Sequence, residues 1–169
     1  AGMLWCTVHV AILGVPTPTT LLANAGFEDG LRGWDVSCVE ERCGEVKVEA
    51  HEGSQVAALH GSADEWTAVQ LQQRVLLQPE QLARPLVADA SFRASPASWI
   101  APLEMRLALS YEDAASGSLL GSCGVTRAEL PAAWERLHVH CTPPPAALAP
   151  TCHVAVWVVL SFACVRSAA

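Results

Sequence analysis

"LLANAGFEDGLRGW", Leu21 to Trp34, is the stretch on which the reading of the fold turns. Between Asn24 and Trp34 it carries Gly26, Gly30 and Gly33, the acids Glu28 and Asp29, and the aromatic pair Phe27 and Trp34. Glycine tolerates backbone conformations that a side chain would resist, so the spacing predicts a tight, irregular turn. Two large rings at its ends bury more apolar area than any ordinary surface turn needs. Phe27 and Trp34 are therefore expected to plug a core, and the glycines to shape the chain around them.

Outward from this stretch, apolar and polar residues alternate with a period of two in segment after segment, with Gly or Pro breaks between. The pattern predicts strands over Leu4–Leu13, Leu21–Asn24, Gly33–Cys38, Glu45–His51, Gln55–His60, Trp66–Leu77, Leu86–Ala94, Leu103–Tyr111, Ser118–Thr126, Trp134–Cys141 and Cys152–Phe162. Helical periodicity is nearly absent. One helical turn is expected at Pro79–Ala83, another short segment at Arg127–Ala133, and a stiff proline-rich connection at Thr142–Thr151. So many short strands must hide their apolar faces against one another, which makes the expected class all-β, an antiparallel jelly-roll sandwich.

A chain of 169 residues is long enough for one domain with a real core, and the expectation is a single domain over 1–169 in which 1–20 add an N-terminal strand. With 51% hydrophobic and 16% charged residues it lies far from the disordered regime. The formal net charge is -7, and the basic residues, among them Arg32, Arg42, Lys47 and Arg74, are scattered instead of forming a stripe, so no nucleic acid is expected as partner. The apolar opening "MLWCTVHVAILGV" has no preceding positive charge and reads as mature protein. The run Val154–Val165, at about 12 residues, is short of the ~20 that a transmembrane helix requires, so no transmembrane segment is expected.

Seven cysteines without CxxC spacing fit a secreted, extracellular protein with disulfides better than a zinc or redox protein. Cys38 and Cys43 are candidates to close a small loop, and Cys123 and Cys141 to face each other across a hairpin. The odd cysteine is either free and buried or paired with another chain.

The ordered series "LLANAGFEDGLRGW", "VEAHEGSQVAALHG", "AVQLQQRVLLQPEQ" and "LPAAWERLHVHCTPPP" resembles the carbohydrate-binding modules with a galactose-binding-like jelly roll. The resemblance spans roughly Leu21 to Val159. It implies a non-catalytic module that binds a polysaccharide or glycan, and a structural calcium ion at the glutamate of Gly-Phe-Glu, here Glu28. The Asp-Asp pair that such modules supply from a final strand has no counterpart in "CHVAVWVVLSFACVRSAA", leaving Glu45, Glu49 or Glu52 to complete a shell that calcium prefers at six to eight oxygens. In the same framework Trp134 is expected to plug the sandwich.

Strand alternation groups Gln70, Gln72, Arg93, Arg106, His138 and Trp157 on what could be one polar surface, and Trp99 in the "SPASW" loop is the candidate aromatic platform. A solvated outer sheet face has the same alternation. His138 and His140 lie on one side of a strand, where His153 could complete a zinc-like trio, although the glutamate and glycine spacing of a cupin motif is missing. The chain has no GxSxG, HExxH or GxxxxGK[ST], and "GSCG" at Gly121–Gly124 has no identifiable histidine partner, so the expectation is a non-enzyme. The competing expectation is a structural or adhesive subunit of an extracellular assembly, in which the N-terminal strand either pairs with its own sheet edge or is donated to other copies of the chain.

Overall fold

The computed structural model describes residues 2–12, 20–38, 45–61, 68–94, 103–129 and 133–164. Among these described residues ten strands are formed: β1 (Gly2–Ile12), β2 (Asp35–Cys38), β3 (Glu45–His51), β4 (Ser54–Gly61), β5 (Ala68–Leu76), β6 (Leu86–Ala94), β7 (Leu103–Asp113), β8 (Leu119–Glu129), β9 (Glu135–Cys141) and β10 (Val154–Cys164). They make two five-stranded sheets, a first in the order β3-β4-β1-β6-β9 and a second in the order β2-β5-β10-β7-β8. Every pairing is antiparallel, and the chain crosses between the sheets so often that only β3–β4 and β7–β8 are sequential neighbours. The architecture is the expected all-β jelly-roll sandwich.

Alternation explains which side of each strand is inside. On β9 the residues Leu137, Val139 and Cys141 are buried while Arg136, His138 and His140 are exposed. On β10 the residues Val156, Val158, Leu160 and Phe162 enter a core shared with Leu71, Phe92, Met105 and Leu107. Burying whole side chains of this size contributes roughly 1.5–3 kcal/mol each, so this layer between the sheets is the main source of stability.

Leu21–Asn24, expected as a strand, is instead the start of a run of turns that continues to Gly33. Asn24 is the reason. It sits at φ 51°, in the left-handed region that asparagine tolerates, and its side chain ties the loop together. Its amide donates to the carbonyls of Gly30 (2.8 Å) and Arg32 (3.0 Å) and accepts from the Asp29 N–H (3.0 Å). Its own carbonyl accepts from the Trp34 indole at 3.1 Å. Phe27 is fully buried and its ring centroid lies 5.5 Å from that of Trp34, so the expected plug is there. The loop is anchored to β5 by Gln73, whose side-chain amide accepts from the N–H of Ala23 (2.7 Å) and donates to its carbonyl (2.9 Å). Gln73 is thus a buried polar residue whose hydrogen bonds are made, as burial demands.

Three further expectations change. Cys123 and Cys141 are bonded as expected, but β8 and β9 belong to different sheets, so the disulfide staples the sandwich edge instead of crossing a hairpin. Cys38 is also disulfide-bonded, while Cys43 lies outside the described residues. Trp134 does not plug the sandwich. It is only half-buried, because its indole N–H leaves the core side to reach the carboxylate of Glu52. The N-terminal strand does not lie at a sheet edge: β1 is inserted between β4 and β6 and is paired with both across Leu4–Cys6. The prolines produce the expected punctuation, a 3₁₀ turn at Pro79–Gln81 and another at Pro145–Leu148.

Candidate functional site: the outer face of the second sheet

Register decides which outward side chains meet. In the second sheet, β5, β10 and β7 are aligned so that Arg74, Trp157 and Ser110 form one row across the strands. Next to it runs Gln72, Val159, Ala108 and Gly124, and beyond that Gln70, Ser161, Arg106 and Thr126. The outer rows are therefore about 13 Å apart at the usual rise per residue. The row between them is short-sided from Val159 to Gly124. Glycine is required at its end, because a Cβ at Gly124 would stand 2.9 Å from the Leu107 carbonyl and 3.2 Å from the Ala108 methyl.

The aromatic group of this face is fixed in place. Trp157 is half-buried, and its indole N–H donates to Glu112 at 2.7 Å, while the other oxygen of that carboxylate accepts from Arg74 at 2.8 Å. Hydrogen bonds from Arg74 first, and then from Trp157, hold the Glu112 carboxyl below the ordinary glutamate range, so it stays charged through mild acid. The ring consequently has one orientation over the sheet, flanked by a cation and by small hydroxyl residues. A pinned aromatic surface bordered by amides and a guanidinium can stack on a flat apolar face and hydrogen-bond hydroxyls at its rim.

Four of the expected ligand residues, Gln70, Gln72, Arg106 and Trp157, are brought together here. Two are not: Arg93 and His138 lie on β6 and β9 of the first sheet, because strand alternation fixes a face only within one sheet and these two strands pair elsewhere. Trp99 lies outside the described residues. Sequence reading placed Ser110 on this face beside Arg106 but passed over Arg74 and the positioning role of Glu112. Both charged residues do alternate outward on their strands, but only the pairing through β10 places them beside Trp157.

On the first sheet, outward charges are consumed by one another. Asp89 accepts from Arg136 at 2.8 Å and lies 2.7 Å from the His138 ring. Burial opposes the charge on Asp89, but the hydrogen bonds from Arg136 and His138 outweigh it and keep its carboxyl below the ordinary value. The zinc-like trio does not assemble. His138 and His140 are on β9 and His153 precedes β10, in different sheets, and among the described residues no three His, Cys, Asp or Glu gather to hold a metal.

At the opening turn, Glu28 and Asp29 are both exposed, and the Glu28 carboxylate folds over Gly26, where an added Cβ would collide with it. Glu52 has turned instead to Arg93 and Trp134, and Glu49 is half-buried on β3. The side chains described around Glu28 thus supply fewer oxygens than the six to eight that calcium prefers.

No family model matches the sequence, and no curated protein does. Among solved structures the chain is similar to one described as "CBM4 structure and function", at 10% identity over 84% of this chain and 95% of that one, with a TM-score of 0.37. It is also similar to the Stig cyclase Fisc from Fischerella sp. TAU, at 13% identity over 84% of this chain and 92% of that one, TM-score 0.38. A third is an arabinose-bound α-L-arabinofuranosidase, at 13% identity over 92% of this chain but 26% of that one, TM-score 0.30. Among the described residues, no helix is long and apolar enough to cross a membrane.

Proposed function

We propose that the chain is a non-catalytic, secreted carbohydrate-binding module that holds a polysaccharide or glycan across the outer face of its second sheet. The observation that carries this reading is Trp157, presented at mid-sheet and locked by the Glu112 carboxylate that Arg74 also holds. A sugar ring stacks on the indole, and Gln70, Gln72 and Arg106 reach the hydroxyls of the units that follow along the neighbouring rows. Secretion accords with the disulfide at Cys123–Cys141 and the bonded Cys38. The competing reading, a subunit that donates its N-terminal strand, has less to draw on, since β1 is paired on both sides within its own sheet.

The test is retention and calorimetric titration of the intact chain on a panel of plant, fungal and bacterial polysaccharides. Binding to at least one, weakened about tenfold or more by Trp157→Ala, supports the reading. Failure to bind any of them removes it. A calcium ion at the Glu28 turn would serve the fold and not the glycan. Chelation with EDTA checks it: a lowered thermal midpoint keeps the ion, and an unchanged midpoint dismisses it.

A further inference from the structure

The first sheet has a cavity of its own. Strands β3 and β4 are joined by a two-residue turn, Glu52–Gly53, whose φ angles of 51° and 85° are those of the tight hairpin turns that match strand twist. The turn carries Glu52 to the far side of the sheet, where one carboxylate oxygen accepts from Arg93 at the end of β6 (2.8 Å) and the other from the Trp134 indole just before β9 (3.1 Å). Beneath this bridge is a space of about 260 Å³ lined by His51, Glu52, Ser54, Val56, Ser91 and Trp134. The rings of His51 and Trp134 stand 5.8 Å apart at 58°, so they form an angled cleft and not a closed stack.

We infer that this cavity is a second ligand site, separate from the Trp157 face, that takes a single neutral pyranose unit such as a chain end or a free glycoside. A space of about 260 Å³ is of the size that one six-membered ring fills. Charge selects a neutral ligand, because the Glu52 carboxylate is already balanced by the Arg93 guanidinium at 2.8 Å. The oxygen that accepts from Arg93 also has the His51 ring nitrogen 3.6 Å away, whereas the oxygen that accepts from Trp134 keeps a second lone-pair site for a sugar hydroxyl. Ser54 and Ser91 add hydroxyls that both donate and accept, Trp134 supplies the apolar wall, and the buried Val56 closes the floor. The indole hydrogen bond that fixes Trp134 also explains why this residue left the sandwich core.

The inference rests on the carbohydrate reading only for the class of ligand, since its site and residues are different. The test is titration of the ¹⁵N-labelled intact chain with the methyl glycosides of glucose, galactose, mannose and xylose, following the tryptophan indole N–H signals. Expected is a saturable shift of the Trp134 indole and the Ser91 amide with at least one glycoside, about tenfold weaker in Glu52→Gln, which keeps the shape and an acceptor but loses the charge. Trp134→Ala provides a second variant; if it fails to fold, Glu52→Gln alone decides. The inference is overturned if none of the four glycosides shifts the Trp134 indole, if shifts are confined to the Trp157 indole, or if Glu52→Gln binds as the natural chain does. Polysaccharide retention on the second sheet can fail while this titration succeeds, and the reverse, so the two proposals fall separately.

Discussion

Trp34 and Trp157 each give their indole N–H to one acceptor, and the nature of that acceptor separates architecture from a binding surface. Trp34 donates to the backbone carbonyl of Asn24, is 6% exposed and packs on Phe27 in the core. Trp157 donates to the side chain of Glu112 and keeps part of its ring at the surface. A backbone acceptor makes the ring part of the local chain path, so removing it damages the fold. A carboxylate acceptor on a neighbouring strand orients the ring over the sheet without sealing it.

The comparison breaks most readily under the same substitution made in both places. Trp34→Ala leaves a cavity beside Phe27 and removes the indole hydrogen bond to the Asn24 carbonyl, which keeps the Phe27 N–H, and should destabilise the chain by about 3–5 kcal/mol in a denaturant titration. Trp157→Ala should cost the fold under about 1 kcal/mol while abolishing most glycan binding; a loss of stability as large as that of Trp34→Ala would mean that Trp157 is a core residue. Next in size is Asn24→Ala, which deletes the hydrogen bonds to Gly30, Arg32 and Asp29 and the tolerance of the left-handed backbone. It should lower stability by roughly 1–3 kcal/mol, and an unchanged unfolding midpoint would show that the glycines alone hold the turn.

A smaller effect is expected at Glu112→Gln. Glutamine preserves an acceptor for the Trp157 indole but weakens the contact with Arg74, so glycan affinity should fall less than in Trp157→Ala and become less sensitive to salt. Affinity equal to that of the natural chain at low and high salt would remove the positioning role of the charge. The smallest effect belongs to Asp89 on the other sheet. Its folded-state pKa is depressed, so its stabilisation is complete above the ordinary aspartate value of 3.8 and is lost as pH falls through the lower folded value. Asp89→Asn should flatten the acid limb of the thermal midpoint without affecting glycan binding at neutral pH, and an unchanged acid limb would show that the Arg136 and His138 contacts contribute nothing measurable.

Much of the fold was legible because strand alternation is a local property. The buried set on β9 and the outward positions of Gln70, Gln72 and Trp157 follow from a period of two, and Pro79 and the prolines after Thr142 announce their own short turns. Leu21–Asn24 misled for an equally local reason, since two leucines suggest a strand while the asparagine beyond them dominates through hydrogen bonds to residues later in the loop. Trp134 misled because its partner, Glu52, is 82 residues away on a hairpin tip. No pattern near Trp134 shows that a carboxylate will be waiting outside the core.

By itself, then, the sequence determined the all-β class, the approximate strands, the aromatic plug at Phe27 and Trp34, and which residues of each strand point outward. These depend on steric and hydrophobic rules that act within a few residues. Tertiary structure alone decided which outward residues share a face. Pairing through β10 put Arg74 and Glu112 beside Trp157, insertion of β1 between β4 and β6 filled the first sheet, and assignment of β6 and β9 to that sheet carried Arg93 and His138 to the opposite side. Strand order and register are settled by contacts between distant segments competing for one core, and that competition leaves no mark on any single stretch of sequence.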